Sequence, residues 1–169
     1  RINGLIPTFA TRFCTCCMHT FSHSAMFLKI LFLPNKHFIK HISALLNEVE
    51  TILVEQLGGR VYKKSFATRG ESASETLDTM VCSKFFVGVD GFDPDYGITT
   101  STIEEAVLSR KMMAAASKVI VLADSSKFGH HGFGRVSSID EIDVVITDKD
   151  IAPEMVKIIE DAGIELITV

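Results

Sequence analysis

Three short polar turns contain the residues of this sequence that are best suited to binding a small anion. They are Gly58-Gly59-Arg60, Asp90-Gly91 and Asp124-Ser125-Ser126-Lys127. Glycines let backbone N–H groups approach a ligand, serine hydroxyls donate hydrogen bonds, and Arg60 and Lys127 bring positive charge. Asp90 can accept hydrogen bonds from sugar hydroxyls. Together these groups predict a site for a small hydroxylated anion such as a sugar phosphate.

Each turn also has a purely structural interpretation. Gly58-Gly59 and Asp90-Gly91 are common turn sequences, because glycine adopts positive φ readily. Asp124-Ser125-Ser126 could cap a helix or form an Asx-turn, and Thr99-Thr100-Ser101-Thr102 could either cap the helix after it or add hydroxyls to the anion site. The binding interpretation gains its weight from the occurrence of such turns at successive predicted strand ends.

Two other clusters contain metal-ligand residue types but lack the spacing of a metal site. Residues 14–23 hold three cysteines and two histidines, yet Cys-x-Cys-Cys is not the usual zinc pair and no second pair follows. His130-His131 stands between glycines, which is typical of a loop tip. We therefore predict no metal and no cofactor. Nothing indicates a disulfide framework either, so a reducing cytoplasm is the expected location.

The composition limits the classes of protein to which the chain can belong. Its 169 residues predict one domain, and 47% hydrophobic residues are enough to bury a core. A formal net charge of −4 excludes a strongly basic nucleic-acid-binding module. The apolar run 25–33 is interrupted by Lys29 and is far shorter than the ~20 residues that span a bilayer, so no membrane association is expected.

The elements that would position the polar turns follow from the apolar pattern. Short apolar runs alternate with helical stretches. This alternation predicts an α/β fold: an open, mostly parallel, Rossmann-like sheet with helices on both faces. Such sheets bind ligands beyond the carboxyl ends of their strands, where the polar turns stand. Helix 102–117 is predicted to bury Ile103, Ala106, Val107, Met113 and Ala114. The predicted strands are 51–57, 84–89, 118–123, 142–147 and 164–169, and the predicted helices are 36–47, 102–117 and 153–162.

Several segments resemble the C-terminal effector-binding domain of DeoR-family bacterial transcriptional repressors. They are 87–93 (VGVDGFD), 96–100 (YGITT), 119–129 (VIVLADSSKFG) and 142–148 (IDVVITD), supported by 57–65 (LGGRVYKKS) and 162–167 (AGIELI). The resemblance implies a sensor of phosphorylated sugars, a homo-oligomer, and operator DNA contacted only through a winged helix-turn-helix that this chain lacks. It covers about residues 46–169, whereas residues 1–45 are expected to be an unassigned lead-in. The family's first strand and its Asp-Ser-Gly-x-Thr loop have no counterpart there, so we expect a sensor incomplete at its N-terminal side.

A sugar-phosphate isomerase of the ribose-5-phosphate isomerase type is the alternative, since the fold is expected to be similar. The chain resembles that enzyme at Asp90-Gly91-Phe92-Asp93 and at 123–127, but has Thr99-Thr100-Ser101-Thr102 where the enzyme has a lysine and glycines. Isomerisation needs an electrophile for the enediolate, so we expect binding without turnover and no catalytic residues. The predicted effector-binding residues are Gly58, Gly59, Arg60, Asp90, Gly91, Thr99, Thr100, Asp124, Ser125, Ser126 and Lys127.

Overall fold

The computed structural model describes residues 57–61 and 68–169, which form nine strands and three α-helices. The predicted helix 36–47 and residues 51–56 of the first predicted strand lie outside the described residues. Two short 3₁₀ turns, Ser125–Lys127 and Ile139–Glu141, complete the described part. In chain order the elements are β1 (Arg60–Val61), β2 (Thr68–Arg69), α1 (Glu71–Leu77), β3 (Phe85–Gly88), β4 (Gly91–Asp93), β5 (Gly97–Thr100), α2 (Ile103–Ala114), β6 (Val119–Leu122), β7 (Gly134–Ser137), β8 (Val144–Thr147), α3 (Pro153–Asp161) and β9 (Glu165–Thr168).

The four apolar runs that follow residue 80 form one parallel sheet in the order β3-β6-β8-β9, which is also their order in the chain. Each strand is two residues shorter than its predicted run. Val87, Val121 and Val145 are buried on one face, whereas Phe86 and Ile120 are buried on the other. Burial of both faces explains why these strands are apolar throughout. The α/β fold with a mostly parallel sheet is confirmed.

The three described helices all contribute to the same side of this sheet. Buried residues of α1 (Ala73), α2 (Met112) and α3 (Ile159) join the cluster that contains Val121. α3 starts with Pro153 and is followed by a glycine at φ 76°, as its sequence predicts. On the opposite face, the described part of the chain contributes only strand residues and the chain terminus to the buried cluster, so a helix layer there stays a prediction.

The buried face of α2 differs from the predicted one. Ile103 and Val107 are 56% and 43% exposed, and Ala114 is exposed as well. Ala106 and Met113 are buried as predicted. β7 packs closely against the start of α2, because a Cβ on Gly134 would collide with the Thr102 carbonyl oxygen. The buried residues of α2 are Glu105, Ala106, Leu108, Ser109, Met112 and Met113.

A second sheet, which was not predicted from the sequence, begins in the chain directly after β3. It is antiparallel with the order β4-β5-β7. The Asp93 carboxylate accepts the backbone N–H of Asp95 (2.9 Å) and of Tyr96 (3.1 Å), which shapes the β4–β5 turn. Gly97 has φ 75° and approaches the Ser137 carbonyl too closely for any Cβ. This sheet carries Thr99 and Thr100 of the predicted site. No helix in the described ranges is both long and apolar enough to cross a bilayer.

Candidate ligand-binding site

Three aspartates stand in register at the carboxyl edge of the parallel sheet. Gly88 of β3 pairs with Leu122 of β6, and Leu122 pairs with Ile146 of β8. Asp90, Asp124 and Asp148 each follow two residues after one of these partners. Because neighbouring strands are about 4.8 Å apart, the backbones of the three aspartates leave the sheet side by side. Asp148 is not among the predicted site residues, although it follows its strand as the other two aspartates do.

Asp90 is the aspartate best placed to accept hydrogen bonds from a ligand. Its backbone N–H donates to the Thr99 carbonyl at 2.9 Å, and its carboxylate accepts the Ser101 hydroxyl at 2.6 Å. The residue is half-buried. A hydroxyl partner at the surface can exchange for a ligand hydroxyl at low cost, since neither group is left buried without a hydrogen bond.

Gly91, Thr99 and Thr100 form a layer beneath this surface. A Cβ on Gly91 would collide with the His130 carbonyl oxygen, so the glycine allows the loop after residue 129 to pack closely. The Thr99 hydroxyl donates to the Gly91 carbonyl (3.2 Å) and accepts the Gly132 N–H (2.7 Å). The Thr100 hydroxyl donates to the Thr102 carbonyl at 3.1 Å. Both threonines are buried. The Thr99 hydroxyl therefore supports the loop, whereas the Thr100 hydroxyl bonds the backbone at the start of α2.

The two interpretations of the threonine run separate in the structure. Thr102, the last of the four, is the N-cap of α2, and its hydroxyl oxygen accepts the Glu105 N–H at 3.2 Å. Ser101 contacts Asp90 instead. The capping role thus belongs to one residue, and the contact with the strand-end carboxylate belongs to its neighbour.

The Asp124 turn has the Asx geometry that the sequence allowed. The Asp124 carboxylate accepts the Ser126 N–H at 3.1 Å and the Ser126 hydroxyl, and its carbonyl accepts the Lys127 N–H at 2.9 Å. The Lys127 Nζ lies 4.0 Å from an Asp124 carboxylate oxygen, with 35% of the lysine side chain exposed. Such a long, exposed ion pair contributes little stability, so the ammonium is available to an incoming anion.

This turn is fixed to the strands on both of its sides. Toward β8, the Asp148 carboxylate accepts the Ser125 N–H at 2.8 Å and the Asp150 N–H at 2.9 Å. Burial raises the pKa of Asp148, but the hydrogen bonds from Ser125 and Asp150 outweigh it and lower the pKa below the usual aspartate value. Toward β4, the Gly129 N–H donates to the Phe92 carbonyl at 2.9 Å. The turn, and the backbone that carries Lys127, is therefore held from two directions.

Gly58, Gly59 and Arg60 are exposed, and the last two lie at a neighbouring cleft. Gly59 and Arg60 line this open cleft of about 520 Å³ together with Ser72 and Ser74 around α1, and with Ile103, Glu104 and Val107 of α2. Neither Asp90 nor Lys127 lines it. Ile103 is two residues from Ser101, however, so the cleft begins within about 8 Å of the Asp90 partner. Asp90 and the Asp124 turn therefore lie at neighbouring strand ends, whereas Arg60 lies in the cleft beside the start of α2.

His130 and His131, the two described histidines, belong to no cluster of metal-ligand side chains. Among residues 57–61 and 68–169, no three His, Cys, Asp or Glu side chains converge as metal ligands. His131 instead stacks on Tyr96, with 4.6 Å between the ring centroids. His130 and His131 are exposed in the loop that packs over Gly91. Cys82 is a free thiol, and the other three cysteines lie outside the described residues.

Comparison with known proteins gives a consistent family. Residues 37–149 match the model of the DeoR C-terminal sensor domain. The chain is 32% identical over 124 residues to the uncharacterized HTH-type transcriptional regulator YulB of Bacillus subtilis, covering 73% of this chain and 48% of the relative. It is 30% identical over 129 residues to the putative aga operon transcriptional repressor of Escherichia coli O157:H7 (76% and 48%) and 32% identical over 127 residues to the repressor GlcR of B. subtilis (75% and 49%). The chain spans about half the length of the curated relatives it matches.

Proposed function

Because this chain belongs to the DeoR C-terminal sensor domain family, we propose that it binds a phosphorylated sugar as the effector of a regulator of sugar metabolism. The observation that carries the proposal is the register of the strand ends. It sets Asp90, an acceptor for sugar hydroxyls, beside the Asp124 turn with its available lysine. A hydroxylated anion needs both kinds of group within one ligand's length.

The proposed roles follow from what each group already binds. Lys127 pairs with the phosphate, because its only described ion pair is long and exposed. Ser125 and Ser126 border the same position, but their backbone N–H groups already donate to Asp148 and Asp124. We therefore assign their contribution to the hydroxyls, with that of Ser126 exchanging its Asp124 contact for the ligand. Asp90 accepts from the sugar hydroxyls.

The remaining predicted residues take supporting roles in this proposal. Gly91 and Thr99 hold the loop against which the sugar lies, and the Thr100 hydroxyl bonds the backbone at the start of α2. Gly59 and Arg60, with Gly58 before them in the chain, form a wall of the adjoining cleft, which suits the end of the effector farthest from Lys127.

The test is a binding screen with the 169-residue chain. Phosphorylated aldoses, ketoses and amino sugars are compared with their unphosphorylated counterparts and with inorganic phosphate, first by shift in melting temperature and then by calorimetry. At least one phosphosugar should raise the melting temperature while its unphosphorylated form does not, since a ligand that binds only the native state stabilises it. Equal effects of a sugar and its phosphate would contradict the assignment.

We propose further that the domain does not turn over its ligand. The support comes from residues 99–102, where an isomerase of similar pattern has a lysine and glycines, because the Thr99 and Thr100 hydroxyls here are buried against backbone groups. No electrophile is thereby offered to an enediolate. Incubation with ribose 5-phosphate should give no ribulose 5-phosphate, and its appearance at enzyme-dependent rates would favour the isomerase alternative.

DNA and partner subunits enter as proposals about the whole protein. YulB is named as an HTH-type regulator and the aga protein as a repressor, and the chain matches about half of each. We propose that operator DNA is bound outside the sensor domain, in the cytoplasm, and that the sensor self-associates. Sedimentation of the chain with and without phosphosugar tests the second point, because a monomer under both conditions would contradict it.

A further inference from the structure

The Asp148 carboxylate has a bonding pattern unlike that of the other two strand-end aspartates. Asp90 accepts a side-chain hydroxyl, and Asp124 accepts a backbone N–H and a hydroxyl from within its own turn. Asp148 accepts two backbone N–H groups, one from Asp150 in its own loop and one from Ser125, 23 residues away on the neighbouring strand end. It therefore joins two loops at the edge where the effector is proposed to bind.

Resting on the proposed function, we propose that Asp148 is a positioning residue for effector binding: it fixes the Asp124–Lys127 turn so that Lys127 meets the phosphate. The Ser125 N–H is the first N–H of the 3₁₀ turn that ends at Lys127, and it donates outside the turn to Asp148. Its bond to Asp148 sets the tilt of that turn relative to β8. The bond from Gly129 to Phe92 sets the other end, and the Phe92 and Phe128 rings pack there at 5.2 Å.

The chain supplies a matched control for a purely structural role. Asp143, at the opposite end of β8, also accepts a backbone N–H from the neighbouring strand, since its carboxylate binds the Val119 N–H at 2.6 Å. Both aspartates thus tie β8 to β6 or to the loop that follows β6. Only Asp148 does so beside Lys127. Loss of a lateral tie in general and loss of this tie in particular can therefore be separated.

The experiment compares Asp148→Ala with Asp143→Ala in the 169-residue chain. The probes are ribose 5-phosphate, glucose 6-phosphate and fructose 6-phosphate, with inorganic phosphate alongside, and the melting temperature of each variant is recorded. Asp148→Ala should lower the affinity for the phosphosugar that wild type binds by about ten-fold, which is the equivalent of one hydrogen bond to a charged group. Asp143→Ala should change the affinity by less than about two-fold, although it should lower the melting temperature about as much as Asp148→Ala does.

Two further variants keep the inference testable. Asp148→Asn retains one acceptor oxygen, so it can hold the Ser125 N–H or the Asp150 N–H but not both, and it should fall between wild type and Asp148→Ala even if the alanine variant folds poorly. In a Lys127→Met background, Asp148→Ala should cost little additional affinity, because the group it positions has gone. Additive losses would overturn the positioning role.

The outcomes distinguish this inference from the function on which it rests. If wild type binds neither these three phosphosugars nor any other of the screen described above, the proposed function fails at the first step and the positioning role fails with it. If wild type binds and the Asp148→Ala and Asp143→Ala variants lose affinity equally, or neither loses any, Asp148 is only structural and the proposed function stands. Greater loss in Asp148→Ala, abolished in the Lys127→Met background, supports the inference.

Discussion

Each edge of the parallel sheet is held by hydrogen bonds to an aspartate, but the two edges differ in the polar groups that remain available to a ligand. At the amino edge, Asp143 exchanges hydrogen bonds with Val119, since its N–H donates to the Val119 carbonyl (3.1 Å) and its carboxylate accepts the Val119 N–H (2.6 Å). Lys118 pairs with Glu165 at 3.4 Å. At the carboxyl edge, Asp148 makes the corresponding tie, but Asp90 and Lys127 still face solvent with exchangeable partners.

The difference shows where binding capacity comes from in such a fold. Backbone groups at both edges must be satisfied, and aspartates satisfy them at either end. At the amino edge, Lys118 beside β6 is matched by the Glu165 carboxylate on β9, two strands away, whereas at the carboxyl edge Lys127 lies on a turn with a 4.0 Å contact to its own cap. The carboxyl edge thus keeps polar groups beyond those that its backbone requires.

The largest expected effect comes from two glycines at opposite edges. Gly91→Ala should destabilise the fold by about 3 kcal/mol, because its Cβ meets the His130 backbone, which cannot move as a flexible side chain would. Gly163→Ala, before β9, should cost about 1 kcal/mol, since φ 76° disfavours alanine but the surrounding space is open. Urea unfolding of both variants measures the difference. An equal loss of unfolding free energy in the two variants would show that the loop over Gly91 moves to accommodate the added methyl group.

The parallel sheet and its edge turns could be predicted from the sequence because their signals are local. Each strand after residue 80 is a continuous apolar run with a polar turn, and α3 has its proline and glycine where a helix needs them. The antiparallel sheet could not be predicted in this way. β4 has three residues, and β5 pairs with β7 across more than thirty residues that include α2 and β6. Such pairing leaves no short-range pattern.

The arrangement of the candidate ligand-binding site could be predicted from the sequence to about the same extent as the fold. The rule that ligands bind at carboxyl ends indicated Asp90 and the Asp124 turn, and the register brings them together. Asp148 could have been found by the same rule, since it follows the next strand. The burial of Thr99 and Thr100 could not, because it depends on the loop at Gly132 packing onto a sheet that the sequence did not reveal. The predicted burial of α2 was right at Ala106 and Met113 and wrong at Ile103, Val107 and Ala114.

Lysines at the two edges give the next effect. Lys127→Met should weaken phosphosugar binding by about 2 kcal/mol if the ammonium pairs directly with phosphate. Lys118→Met removes a cation of similar exposure at the amino edge, where it pairs with Glu165, and should leave the affinity unchanged. Calorimetric titration of both variants at one salt concentration makes the comparison. Similar losses would mean that the phosphate responds to overall charge and not to a contact at the carboxyl edge.

The Asp148 tie predicts a specific response to acid. Its folded pKa is lowered, so the stability that it contributes is fully present above the unfolded value near 4 and is lost as pH falls through the folded pKa. Wild type should exceed Asp148→Asn by about 1 kcal/mol from pH 5 to 7, and the gap should close below about pH 4. Urea unfolding across this range provides the measurement. A gap that is constant with pH would mean that the carboxylate charge is not what holds the two loops.

The smallest effect concerns the amino edge alone. Lys118 and Glu165 are 41% and 60% exposed in their side chains and lie 3.4 Å apart. Removing the pair in a double-mutant cycle, with Lys118→Met and Glu165→Gln, should yield a coupling free energy below about 0.5 kcal/mol, because solvent screens exposed ion pairs. The coupling should shrink further in 1 M salt. A coupling above 1 kcal/mol would show that the amino edge is held by charge as well as by its backbone ties, and that its lysine is unavailable because the fold requires it.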